Sequence, residues 1–170
     1  MKKIDYSFKS YREIFVKLFE KEKERILAVL GGADVRIEHI GSTAVPGLGG
    51  KGIIDIIVAA EKEKLDQVRA ILEELGYEFD ADSSMEERLF FRNELSDDLE
   101  GVRRYHLHLT FFESGDWFKA LAFRDHLLKD ASAKKEYADI KKQAAAQVGQ
   151  NGLKYKKFKE PFILKILKNA

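Results

Sequence analysis

The chain has no cysteine and only two prolines among its 170 residues. Without a thiol, disulfides, thiolate nucleophiles and thiolate metal sites are all excluded. Nitrogen ligands are limited to four histidines. No apolar run approaches the ~18 residues that cross a bilayer. Residues 1–6 carry positive charge with no apolar stretch behind them, so a soluble cytoplasmic protein is expected. An excess of either charge is also missing: Lys plus Arg number 30 against 29 Asp plus Glu. A dedicated DNA or RNA binder would carry a basic surplus to neutralise phosphates, so that class is set aside.

Bulky core material is plentiful. The composition is 45% hydrophobic, with 12 Phe, 6 Tyr and one Trp. One domain over 1–170 is expected, because domains run ~100–200 residues.

Ser10 and Glu13 have the spacing of a capping box, and Ile14, Phe15, Leu18, Phe19, Ile26, Val29 and Leu30 form a helical stripe ended by Gly31-Gly32. Val35–Ile40 alternates as a strand does. Ile53–Val58 is a nearly continuous β-branched run, the pattern of a buried central strand. Glu61–Leu75 reads as an amphipathic helix ended by Gly76. Tyr77–Phe79 and Arg88–Arg92 suggest short antiparallel strands, with a mobile acidic loop around Asp97-Asp98. In Val102–Phe112, Tyr105, Leu107, Leu109 and Phe111 face one way, and Arg104, His106, His108 and Thr110 the other. Ile53, Ile56, Val58, Leu107, Leu109 and Phe111 are the expected sheet core. Helices follow over Asp116–Lys129 and Ser132–Val148, then a turn at Gln150–Gly152. The tail, Leu153–Ala170, reads as a basic helix with six Lys against one Glu. Its Phe158, Phe162, Ile163, Ile166 and Leu167 predict packing back onto the core.

The chemistry concentrates between Glu38 and Asp55. A strand runs into Gly41-Ser42, and a loop with four further glycines returns into the strand bearing Asp55. Glycine lets backbone amides approach an anion, and Ser42 and Thr43 add hydroxyl donors, so an anion is expected at Gly41-Ser42-Thr43. Lys51 is placed to reach a phosphate. An aspartate on a buried strand must be paired or hold a cation. The loop is not a Walker A motif, because Gly50-Lys51 is followed by Gly52 and Val45 stands where the first glycine belongs.

These residues resemble the GrpB family of the nucleotidyltransferase-fold superfamily. The likeness rests on Glu38-His39-Ile40-Gly41-Ser42-Thr43-Ala44-Val45-Pro46-Gly47-Leu48, on Ile53-Ile54-Asp55 and on Tyr105-His106-Leu107-His108-Leu109. It extends to Leu121-Ala122-Phe123-Arg124-Asp125-His126-Leu127 and to Tyr137 with Lys141. The resemblance implies an α+β fold: a nucleotidyltransferase-like mixed β-sheet with an N-terminal helix and C-terminal helices. It also implies a nucleotide or another phosphate-bearing small molecule as ligand. A dephospho-coenzyme A kinase-like partner is implied too, since a similar domain is joined to that kinase in some bacteria.

The superfamily pattern has a second carboxylate two residues after the first, and here that position is Ile57. With Asp55 alone, a Mg²⁺ pair would be poorly held. His106 and His108, at i and i+2 on one strand face, are placed to complete a set with Asp55. Two histidines and a carboxylate suit Fe²⁺, Mn²⁺ or Zn²⁺ better than Mg²⁺. The alternative is that both histidines bond to Asp55, Glu38 and backbone with no metal. His39 and Glu38 are the spare candidates. Arg124, on a helical stripe with Trp117, Leu121 and Leu128, either pairs with a core carboxylate or reaches a phosphate. Tyr137 and Lys141 share a helix face. Two functions follow: transfer of a nucleotidyl or phosphoryl group, with Ser42 and Asp55 catalytic, or a non-catalytic module binding a nucleotide, a coenzyme A-like ligand or a partner.

Overall fold

The computed structural model describes residues 7–148 and 151–170. The β-branched run becomes strand β2, Ile54–Ala60, in which Ile54, Ile56, Ile57 and Val58 are wholly buried. A run without a polar side needs cover on both faces, and β2 has it. β1, Val35–Ile40, pairs with it antiparallel on one side. β5, Gly101–Phe111, pairs with it parallel on the other. Beyond β5 lie β4, Leu89–Asp97, and β3, Glu78–Phe79, both antiparallel to their neighbours. The five-stranded mixed sheet has the order β1-β2-β5-β4-β3.

Alternation sorts the side chains. Ile54, Ile56 and Val58 of β2, with Tyr105, Leu107 and Leu109 of β5, face α1, Ile14–Leu30, and α2, Leu65–Glu74. Phe15, Phe19, Ile26 and Leu72 close that core. The opposite face carries Asp55, Ile57 and Ala59 beside His106 and His108. There α3, Gly115–Lys129, sets Trp117 against Ile40, Ile57 and Ala59. α4, Ala131–Val148, and α5, Gly152–Lys168, pack on Val45 and Leu48 of the glycine loop through Tyr137, Phe162 and Ile166. The three C-terminal helices thus cover one end of this face and leave the Asp55 end as the floor of a cleft. No helix among the described residues is long and apolar enough to cross a membrane.

Several local expectations are corrected. The capping box at Ser10 does not form: Glu13 caps α1 without a side-chain hydrogen bond. The preceding chain is drawn aside, with Lys9 and Gly50 exchanging backbone hydrogen bonds of 2.6 and 2.8 Å. The helix expected from Glu61 starts with a 3₁₀ turn, Lys62–Lys64. The segment around Asp97-Asp98 is a tight β4–β5 hairpin rather than a loose loop. Asp97 accepts from the amides of Leu99 at 2.7 Å and Glu100 at 3.0 Å and pairs with buried Arg103 at 2.7 Å. Phe111 is only half-buried, with Lys62 Nζ 4.9 Å from its ring centroid. Gln150 of the expected turn lies outside the described residues, while Asn151 caps α5 by accepting from Lys154 N.

Candidate functional site

The cleft floor starts where β1 ends. Gly41 adopts φ 72°, and a Cβ there would fall on the Asp55 carboxylate. Only glycine allows this close approach. Asp55 is paired in register with His106 across the parallel β2–β5 ladder, and His106 Nδ1 lies 3.3 Å from Asp55 Oδ1. Burial alone would raise the Asp55 pKa. The His106 hydrogen bond, with the electrostatic influence of His106, His108 and Lys51 after it, outweighs that and holds the group below the usual carboxylate range.

His106 and His108 do share the Asp55 face, but the expected three-ligand set is not assembled. Among the described residues no three His, Asp or Glu side chains are grouped to hold a metal ion. Two residues of a strand span about 6.6 Å, which places His108 beside Ile57 rather than Asp55. Both imidazoles pack on Phe90, with ring centroids 5.0 and 5.1 Å away. His106 Nε2 and His108 Nδ1 are buried without a hydrogen-bond partner. Burial keeps His108 neutral by lowering its pKa to about 3.

The Ser42-Thr43 turn is fixed from below. Thr43 donates its hydroxyl proton to Ile53 O at 3.0 Å, so His39 Nε2, 2.9 Å away, must be the donor to Thr43 Oγ1. His39 stacks on Phe19 on the α1 side of the sheet, and burial lowers its pKa to about 4. Thr43 and His39 therefore hold the turn to β2 and do not line the cleft, whereas Gly41 and Ser42 do. A Cβ on Gly50 would lie 2.5 Å from Ser42 Oγ and 3.1 Å from Lys141 Nζ, so the glycine loop is squeezed between the turn and α4.

The cleft holds about 850 Å³, and its walls are cationic. Lys51, Lys141, Lys156 and Lys159 reach it from the loop, α4 and α5, and Arg88, Arg92 and Arg104 from the sheet side. Asp55 and Asp82 are the carboxylates on its lining. Arg104 and Arg92 are engaged by Glu94 and Asp80. Lys141 is 3% exposed; its Nζ donates to Gly49 O and stands 5.1 Å from the Tyr137 ring centroid. Burial, then repulsion from Lys159 and Lys51, brings its pKa down to about 7 against the pull of Asp55. Burial, then Lys51 and Lys156, brings Lys159 to about 8. Burial also lowers Lys51. The ammoniums of Lys51 and Lys159 face the Tyr155 ring at 4.9 and 4.6 Å.

Of the residues read from sequence, Gly41, Ser42, Lys51, Asp55, His106, His108, Tyr137 and Lys141 meet in this cleft. Arg124 and Glu38 do not. Arg124 donates to Glu38 Oε2 at 2.7 Å, to Asp125 Oδ1 at 2.8 Å and to His39 O at 3.0 Å, tying α3 to β1. Sequence reasoning missed Arg88, Arg92, Tyr155, Lys156 and Lys159. The six-lysine tail signalled the last two, but helical periodicity alone cannot say which lysines turn inward.

A Gly-Ser turn leading to a return strand with an inward aspartate, on a mixed sheet flanked by helices, defines a protein of the nucleotidyltransferase fold. The crystal structure of the Cid1 poly(U) polymerase superposes with TM-score 0.53 over 81% of this chain and 44% of that one, at 13% identity. The chain belongs to the GrpB family: the family model for GrpB protein matches residues 6–169. The conserved protein GrpB from Enterococcus faecalis has the same structure at TM-score 0.80 and 31% identity, over 96% of both chains. UPF0157 protein YqkA of Bacillus subtilis (strain 168) is 32% identical over 163 residues, covering 94% of this chain. The chain spans 46% of that relative's length.

Proposed function

We propose that the cleft binds a nucleotide or a closely similar phosphate-bearing small molecule, and that the chain is a ligand-binding module on the nucleotidyltransferase fold. Lys141 carries the reading. A buried ammonium is costly without an anion, and its protein partner is a carbonyl, not a carboxylate. A phosphate beside it would also engage Lys51 and Lys159. The volume suits a mononucleotide, since ligand sites run ~300–1,000 Å³. Tyr155 and Phe90 are aromatic side chains of the cleft lining. Coenzyme A-like molecules fall in the same chemical class.

Binding is favoured over group transfer by Ile57. The second carboxylate of a metal pair would belong at this position, which is wholly buried against Ile40, Ala59 and Trp117. The donor set does not fit two Mg²⁺ ions, which take hard oxygen ligands. A thermal-shift series with ATP, UTP, coenzyme A and adenosine tests the reading. A ligand at ~100 times its Kd stabilises by about 2.7 kcal/mol. The phosphate-bearing compounds should raise Tm, adenosine should not, and Lys141→Met should erase the shift. No shift with any phosphate compound would end this reading.

A further inference from the structure

We propose that this cleft takes its polyphosphate without a divalent metal, its lysine ammoniums supplying the positive charge that a metal pair would supply. The inference rests on the nucleotide-binding reading and names the form in which the ligand is bound: the free polyanion, not its Mg²⁺ complex.

Three observations carry it. First, Asp55 is already committed, with His106 Nδ1 at 3.3 Å from one carboxylate oxygen and Gly41 backbone close against the other. Second, the register positions that could add carboxylates hold other chemistry. Ile57 follows Asp55 on its face, and His106 and His108 stand opposite them on β5. Third, fixed cations occupy the space where phosphates would lie. Lys141 approaches from α4, Lys159 from α5 and Lys51 from the glycine loop.

A divalent ion entering beside these ammoniums meets Asp55, already paired with His106, Asp82 as the other carboxylate of the lining, and several like charges that repel it. A polyphosphate meets the reverse. Its oxygens reach ammonium donors, the Ser42 hydroxyl and the Gly41 edge, and the crowding of Lys51, Lys141 and Lys159 is relieved. Ligand-bound Mg²⁺ would cancel part of the charge that these lysines recognise.

Equilibrium dialysis of labelled ATP and of inorganic tripolyphosphate against the full chain decides the matter, run once with excess EDTA and once with excess Mg²⁺. Retention in EDTA at an affinity equal to or tighter than that in Mg²⁺, or within tenfold of it, is the expected result. Tightening by about tenfold or more with Mg²⁺ overturns the inference and leaves the binding reading standing. No retention under either condition overturns both. Asp55→Asn adds a readout of opposite sign for the two cases. With lysines alone, removing the carboxylate charge tightens tripolyphosphate binding, whereas a metal-dependent site loses it. Circular dichroism and Tm establish that the variant is folded, and the EDTA comparison on the unaltered chain stands whether it is or not.

Discussion

Asp55 and His106 are direct partners across the single parallel strand pair of the sheet, carboxylate to imidazole at 3.3 Å. That pairing occupies one oxygen of the only acidic side chain that β2 sends into the cleft. The consequence is a cavity whose electrostatics belong to lysine. The glycine turn beside it offers backbone and hydroxyl donors to an anion whatever else neutralises that anion.

Lys141, buried, and Lys159, half-buried, make both stability and binding depend on pH, with opposite signs. An unfolded lysine titrates near ~10.4. In the folded chain Lys141 titrates at about 7 and Lys159 at about 8. Between those values and 10.4 the unfolded chain binds more protons, so the stability of the ligand-free protein rises with pH. Tm should increase from pH 6.5 to pH 9, and Lys141→Met should flatten the rise. ATP affinity should fall over the same interval, as the ammoniums are lost. Calorimetry in two buffers of different ionisation heat should show proton uptake on binding near pH 8. Proton release, or a Tm that falls across the interval, would contradict the assignment.

How far the sequence reveals this molecule depends on the range of each signal. The β2 strand was legible because a β-branched run of this length has one comfortable environment. The two faces of β5 were legible because alternation is a local property, and it placed His106 and His108 correctly on the side of Asp55. The Asp97–Arg103 pair was not legible: an acidic stretch reads as solvated until the hairpin brings a buried guanidinium to it. For Arg124 the sequence left a carboxylate and a phosphate both open, and folding decides for the carboxylate. Of its helical stripe Trp117 is buried while Leu128 is 48% exposed, and its partners, Glu38 and His39 O, lie 86 and 85 residues away, so only folding reveals them. Tyr137 and Lys141 were recognised as a pair on one helix face, and nothing local could show that this face looks into a cleft.

Gly41 is the next point of leverage. Its φ of 72° with ψ −170° lies in a region essentially reserved for glycine and costs another residue ~1–3 kcal/mol, and a Cβ would also collide with the Asp55 carboxylate. Gly41→Ala should therefore lower stability by at least that amount in urea titration and displace Asp55 from His106. The His106 ring resonances, followed by NMR, should shift in the variant. Unchanged stability together with unchanged His106 resonances would show that the turn has room which the structure denies it. Gly32→Ala is the control: its φ is also positive, at 84°, but its Cβ would meet nothing within 4 Å.

Ile57 decides whether the missing carboxylate is an accident or a part of the design. The side chain is wholly buried with Ile40, Ala59 and Trp117, below the end of the sheet that α3 covers. Putting a carboxylate there removes a well-packed branched side chain and buries a charge with no partner. Large-to-small core changes of this kind cost ~2–5 kcal/mol, and the unpaired polar group adds to that. Ile57→Asp should thus destabilise by roughly 4 kcal/mol or more in chemical denaturation, and Mg²⁺ should restore none of it. The competing picture has position 57 opening into the cleft beside Asp55, with the loss of the metal pair reversible by one substitution. It demands a loss below about 1 kcal/mol, the range of an exposed site, and a Tm that rises with Mg²⁺. The two pictures differ in both magnitude and metal response, so one titration series on one variant separates them. Trp117 fluorescence reports the same event independently. If the carboxylate enters the packed cluster, the indole becomes more exposed and its emission shifts to the red, whereas a side chain turned toward the cleft leaves that emission where it was.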